Sequence, residues 1–221
     1  MVQDANTKRK PLWMRALGAA TALVTKRDAP TPRGPTPASV FFQGFLEHPK
    51  MVGSVIPSSK TMIADLLDPI DWNSCELFVE YGPGVGTMTS HILERLPAQA
   101  KLLAIDTNPR FIEFLEENFD DERLHARLGS ATQVEQMVRE IGHEKANYVL
   151  SGLPFSGLTR EVGKEIVQAS HKVLREGGAF MTYQLRANAR DLTQEVFGTV
   201  DKKFTFWNFP PCILTWGWKG S

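Results

Sequence analysis

The chain has 221 residues, 42% of them hydrophobic, which suits one domain with a filled core plus an appendage. Its 25 basic and 25 acidic residues cancel but are unevenly placed: residues 1–28 hold Lys8, Arg9, Lys10, Arg15, Lys26 and Arg27 against Asp4 and Asp28, a balance of +4 that leaves −4 on the rest. A nucleic-acid enzyme carries its basic surface on the catalytic body, so no nucleic-acid partner is expected; Cys75 and Cys212 form no CxxC or Cys/His cluster, the five histidines are scattered, and neither a metal site nor a disulfide framework is implied.

In chain order, the ten uncharged residues from Ala16 to Thr25 are too few to span a bilayer and make a weak signal-peptide core. On a helix, Leu12, Ala16, Ala19 and Leu23 fall in one row and Trp13, Leu17, Ala20 and Val24 in the next. With its flanking charges this segment reads as a basic amphipathic arm (1–28) that lies in an anionic phospholipid surface, through Lys8, Arg9, Lys10, Trp13, Arg15 and Leu17. A disordered or helix-packing tail and a transit peptide are the alternatives. Residues 29–38, with prolines at 30, 32, 35 and 37, form a stiff linker. The enzyme domain then runs over 39–221.

Phe41 to Leu46 reads as a short aromatic helix, and Ser58 or Ser59 caps a helix carrying Met62, Ile63, Leu66 and Leu67 that stops at Asp68-Pro69. A strand from Glu76 to Glu80 meets a loop with glycines at 82, 84 and 86, and a helix follows. Next come strand 101–105, a helix capped by Asn108 with Pro109 first and Phe111, Phe114, Leu115 and Phe119 inward, strand 124–128, helix 132–141 and strand 147–150. Helix 159–174, with Val162, Ile166, Val167 and Val173 apolar, leads through a Glu176-Gly177-Gly178 turn to strand 179–184. Segments 204–207 and 213–216 form a hairpin at an antiparallel edge. Strands alternating with helices at this pace mean a mostly parallel sheet with ligands at the strands' carboxyl ends.

The glycine loop carries the chemistry. Thr87 stands where a dinucleotide fingerprint needs its third glycine, and no Gly-Lys-Ser/Thr ends the loop as a phosphate-binding loop requires. Instead Glu80 precedes Gly82-Pro83-Gly84-Val85-Gly86, and an acid, Asp106, closes the next strand about 20 residues on, where a carboxylate binds ribose hydroxyls. This resembles the S-adenosylmethionine site of Rossmann-like class I methyltransferases. The resemblance implies an α/β fold with a mostly parallel seven-stranded sheet, a C-terminal antiparallel hairpin and the N-terminal amphipathic helix. It also implies cofactor contacts at Glu80, Tyr81, Gly82, Gly84, Gly86, Asp106, Thr107, Ser130, Ala131 and Ser151, with S-adenosylhomocysteine as product.

The segment after the fourth strand, Ser151-Gly152-Leu153-Pro154-Phe155, keeps the Pro-aromatic half of the Asn-x-Pro-Phe of ribosomal RNA adenine dimethylases, with serine read in place of the asparagine that accepts from the target amine. Set beside Val52-Gly53-Ser54-Val55-Ile56-Pro57-Ser58-Ser59, it resembles the bacterial soluble-type phospholipid N-methyltransferases over residues 39–221. That resemblance implies a cytoplasmic enzyme without a membrane span, docked on the inner face of the cytoplasmic membrane, that converts phosphatidylethanolamine stepwise to phosphatidylcholine. Ser151, Gly152 and Leu153 would hold the acceptor amine and Tyr183 would hydrogen-bond the amine or head group, the alternative being a sheet-end tyrosine facing solvent. Arg186 would pair with the lipid phosphate, or is a plain surface arginine. The general base stays unassigned. An ornithine-lipid N-methyltransferase, a ribosomal RNA adenine N6-dimethyltransferase and a non-catalytic cofactor-binding module are the competing readings.

Overall fold

The computed structural model describes residues 59–205 and 211–220. The basic arm expected to meet a membrane through Lys8, Arg9, Lys10, Trp13, Arg15 and Leu17, the expected linker and aromatic helix, and residues 206–210 lie outside the described residues.

Helix α1 (Lys60–Leu67) starts where Ser59 Oγ accepts from Met62 N at 3.1 Å, and it buries Met62, Ile63, Leu66 and Leu67, as the sequence pattern requires. Removing that cap with Ser59→Ala leaves a helix N–H without its partner, and urea unfolding is expected to show a loss of about 1 kcal/mol.

Seven strands among the described residues form one sheet: β1 (Leu77–Tyr81), β2 (Lys101–Asp106), β3 (Leu124–Leu128), β4 (Ala146–Ser151), β5 (Leu174–Gln184), β6 (Val200–Thr205) and β7 (Cys212–Trp218), in spatial order β3-β2-β1-β4-β5-β7-β6. The first five run parallel; β7 is antiparallel to both β5 and β6. The winding reverses between β1 and β4, which opens a crevice at their carboxyl ends.

Both faces of the sheet are covered, so β1 is buried along its whole length. One face packs α1, α2 (Thr87–Leu93) and α3 (Pro109–Asn118) against Phe78, Leu102 and Leu150. The other packs α4 (Val134–Glu140), α5 (Arg160–Val173) and α6 (Asn188–Phe197) against Val79, Leu103 and Phe180. Trp216 Nε1 donates to Leu66 O at 3.0 Å and ties α1 to β7. Asn147, buried at the start of β4, accepts from Glu76 N and Leu77 N and donates to Ser74 O, which fixes the entry to β1.

Several sequence expectations change. Helix α6 was not foreseen because it buries only Ala189, Leu192 and Thr193, too narrow a stripe to read. It rests on a bare point of β7: a Cβ on Gly217 would stand 2.5 Å from Thr193 Cγ2. Of the apolar residues noted in helix 159–174, Val162 is exposed; the buried stripe of α5 is Gly163, Ile166, Val167, Ser170 and Val173. Glu176-Gly177-Gly178 is no turn but an irregular stretch inside β5, with Gly177 at φ 74° and Gly178 so close to Asn147 O that its Cβ would stand 2.5 Å away. The helix expected over 132–141 opens with a 3-10 turn, Ala131–Gln133. The C-terminal strands form the antiparallel edge expected, but the first of them starts earlier, at Val200: apolar β7 pairs with β5, and β6, with exposed Asp201, Lys202 and Lys203, takes the charged outer position. Among the described residues no helix is long and apolar enough to cross a membrane.

Candidate active site

The carboxyl ends of β1, β4 and β5 meet in register, Tyr81 beside Ser151 beside Thr182. Beyond β1 the backbone turns through positive φ at Gly82 (66°), Gly84 (55°) and Gly86 (77°), a path that bare residues follow without strain. Gly82 N donates to Ile105 O at 2.9 Å, pinning the loop to β2. The far end is closed from below, since a Cβ on Gly86 would stand 2.6 Å from Phe119 Cε2 and 2.9 Å from Leu115 Cδ2. Gly84, by contrast, has nothing within 4 Å of its Cβ position, so the loop's crest is open.

Glu80 is buried on the α1–α3 face, and Thr89 Oγ1 of α2 donates to its Oε2 at 2.6 Å. Burial pushes its carboxyl up to about 7, with Asp106 adding to the rise and the Thr89 hydrogen bond opposing it. Asp106, at the end of β2, accepts from Asn108 N at 2.9 Å and from the Gly84 and Thr107 amides; burial still holds its pKa above the ordinary carboxylate value. The loop and this acid are therefore directly joined. Thr107 follows Asp106 in the turn into α3.

Ser130 and Ala131 follow β3, and Gly129 N donates to Asp106 O, which draws them to the same rim. The Ser130 hydroxyl is taken up by a capping box with Thr132 N and Gln133. Ser151 is buried on the Tyr81 face, opposite Glu80, and its Oγ accepts from Leu153 N at 3.3 Å. Counted back from Pro154, the position an asparagine would hold in Asn-x-Pro-Phe is Gly152, not Ser151. Gly152 N donates to Tyr81 O at 2.8 Å, and Leu153 Cδ2 lies 3.0 Å from where a Cβ on Gly82 would be.

Tyr183 lies on the Glu80 face of β5, half-buried, with its hydroxyl oxygen 2.9 Å from the Cβ position of Gly152. Burial and the Glu80 charge raise its pKa, so the phenol stays neutral. Arg186 is exposed in the turn between β5 and α6, outside this cluster. Two residues not singled out from sequence complete the site: Thr89, the partner of Glu80, and Gln184, whose Nε2 donates to Leu153 O at 3.0 Å. Thr89 sits three residues past the last loop glycine, the only signal that it faces back onto β1; Gln184 gave none.

The site thus offers a bare loop with an open crest and, beside it, the buried carboxyl of Glu80 and the half-buried one of Asp106. These residues fit the amino acid and ribose ends of S-adenosylmethionine. Among the described residues, no group of three or more His, Cys, Asp or Glu side chains could hold a metal ion.

Residues 59–206 match the methyltransferase small domain family. The chain belongs to that family. This methyltransferase is 26% identical over 142 residues to the ornithine lipid N-methyltransferase of Singulisphaera acidiphila, covering 64% of this chain and 74% of that one. It is 25% identical over 123 residues to ribosomal RNA small subunit methyltransferase A of Mycoplasma mycoides, 55% of this chain but only 44% of that protein. The fold of the methyltransferase is also that of an O-methyltransferase from Bacillus cereus solved in complex with SAH, with a TM-score of 0.58, 10% identity, and coverage of 90% and 96% of the two chains. The class I methyltransferase architecture expected from the glycine loop is therefore the one observed.

Proposed function

We propose that this methyltransferase methylates the primary amine of a membrane lipid head group, phosphatidylethanolamine stepwise to phosphatidylcholine, on an anionic membrane surface at the inner face of the cytoplasmic membrane. The observation that carries this reading is the likeness to a lipid N-methyltransferase over 142 residues. The strap Ser151 to Phe155 supports it, since Gly152 brings no amide to grip a planar nucleobase amine.

S-adenosylmethionine supplies an electrophilic methyl on a sulfonium: the amine lone pair forms the N–C bond, the S–C pair stays on sulfur in S-adenosylhomocysteine, and the new ammonium gives its proton to water. Glu80, Tyr81, Gly82, Gly84 and Gly86 hold the amino acid end of the donor, Asp106 and Thr107 the ribose, and Ser130, Ala131 and Ser151 line the remainder. Gly152, Leu153 and Tyr183 hold the acceptor, and Arg186 faces the lipid phosphate. An alkylamine has a pKa of roughly 10, so about one molecule in a thousand carries a free lone pair at pH 7. A neighbouring cation and exclusion of water both lower that value, and positioning supplies most of the acceleration. The arm at 1–28 would deliver the enzyme to the bilayer.

An ornithine lipid, whose head group also ends in a primary amine, is the second reading, favoured by the same relative. Purified protein incubated with the donor and vesicles of phosphatidylethanolamine or ornithine lipid, followed by lipid mass spectrometry, is expected to yield methylated phosphatidylethanolamine. Methyl transfer to unmethylated ribosomal RNA alone would replace the lipid reading, and donor binding without turnover on any amine would leave a non-catalytic module. Deleting residues 1–28 is expected to abolish vesicle binding and leave donor binding intact.

A further inference from the structure

Gly82, Gly152 and Tyr183 are the residues one step beyond the row Tyr81, Ser151 and Thr182, on three adjacent strands. A Cβ on Gly152 would stand 2.9 Å from the Tyr183 hydroxyl oxygen and 3.0 Å from Gly82 O, so the hydroxyl occupies the place that a side chain at 152 would take. No described residue is hydrogen-bonded to that hydroxyl. The strap cannot easily shift to change the space, because Leu153 O accepts from both Gln184 Nε2 and Phe155 N, each at 3.0 Å.

We propose that Gly152 and Tyr183 together set the relative rates of successive methyl transfers to an aliphatic amine: the missing side chain at 152 leaves room for the Tyr183 oxygen, which accepts an N–H from primary and secondary acceptors and finds none on a tertiary one. This rests on the lipid-amine reading above. A neutral primary amine has two N–H donors, a secondary amine one and a tertiary amine none. The hydroxyl therefore aids the first two transfers and is idle in the third, while the bulk to be housed grows with each round. Each of the first two rounds ends with one proton passing from nitrogen to water; the third ends in a quaternary ammonium and releases none.

The test supplies vesicles of phosphatidylethanolamine, its monomethyl form or its dimethyl form separately, and follows each transfer by mass spectrometry. Tyr183→Phe is expected to slow the first two transfers about tenfold relative to the third, the worth of one hydrogen bond at a buried site. Gly152→Ala, whose Cβ would stand 2.9 Å from that oxygen, is expected to act in the same direction by displacing the hydroxyl. The double variant has no oxygen left to displace, and it is expected to slow the first two transfers no further than Tyr183→Phe alone. Titration calorimetry with S-adenosylhomocysteine verifies that each variant retains the donor site; if Gly152→Ala does not bind it, Tyr183→Phe decides alone. Equal slowing of all three acceptors in Tyr183→Phe overturns the assignment. Wild-type protein that binds S-adenosylhomocysteine yet methylates none of the three acceptors overturns the lipid-amine reading itself, and this assignment with it.

Discussion

Gly86→Ala is expected to destabilise the protein by about 3 kcal/mol and to abolish donor binding, through left-handed backbone strain of about 1 to 2 kcal/mol added to an overpacking cost of similar size. The residue sits at φ 77°, and its Cβ would press on Phe119 and Leu115, which belong to the core beneath the loop. Neither can retreat freely, since Leu115 is fully buried and Phe119 closes α3 with its N–H bonded to Leu115 O. Gly84→Ala is the control. It shares the positive φ but meets nothing within 4 Å, so only the strain of about 1 kcal/mol applies. Urea midpoints for the two variants separate the effects; equal losses would mean that the Phe119 contact yields and that the loop is less tightly seated than its geometry implies.

Glu80→Gln is expected to stabilise the free protein at pH 8 by about 3 kcal/mol while weakening donor binding. The carboxyl titrates at about 7 in the folded chain against its ordinary 4.5, because burial outweighs the hydrogen bond from Thr89. Between those two values the folded state keeps a proton that the unfolded chain has lost. The stabilising contribution is therefore complete below pH 4.5 and disappears as pH rises through 7, and Asp106, also raised, adds in the same direction. Glutamine keeps the acceptor for Thr89 and removes the charge. Unfolding measured at pH 5 and pH 8 is expected to show a steep fall for wild type and a shallower one for the variant; parallel slopes would acquit Glu80 as the titrating group. Calorimetry of donor binding at pH 7 in buffers of different ionisation enthalpy is expected to detect proton release, since a cation placed beside Glu80 favours its ionised form.

The parts of the site made from backbone were legible in the sequence, and those made from side-chain contacts across the sheet were not. Glycines at 82, 84 and 86 announce their conformation wherever they occur after a strand, and Asp106 was fixed by its spacing. The inner parallel strands could be read because both-face burial leaves unbroken apolar runs such as Leu77 to Val79 and Leu102 to Ile105. Gln184 could not be read, since its role depends on Leu153 O, 31 residues earlier, and polar residues at strand ends are common. Ser151 stands in for the asparagine of Asn-x-Pro-Phe only if the motif is read one residue early; register turns Ser151 to the Tyr81 face and puts Gly152 on the Glu80 face beside Tyr183. Helix α6 buries too narrow a stripe to read, only Ala189, Leu192 and Thr193, and the placement of β7 between β5 and β6 follows from which segment is the more apolar.

That last placement bears on biogenesis. During synthesis β5, which carries Tyr183 and Gln184, emerges before the neighbour that covers its free side, which comes only with residues 212–218. Until that segment leaves the ribosome, a strand with an apolar centre, Ala179 to Met181, offers unpaired amides and carbonyls to any passing chain. A nascent molecule arrested before that point would carry the glycine loop intact and still be a magnet for aggregation, so the last strand acts as the latch that makes the catalytic rim safe to display.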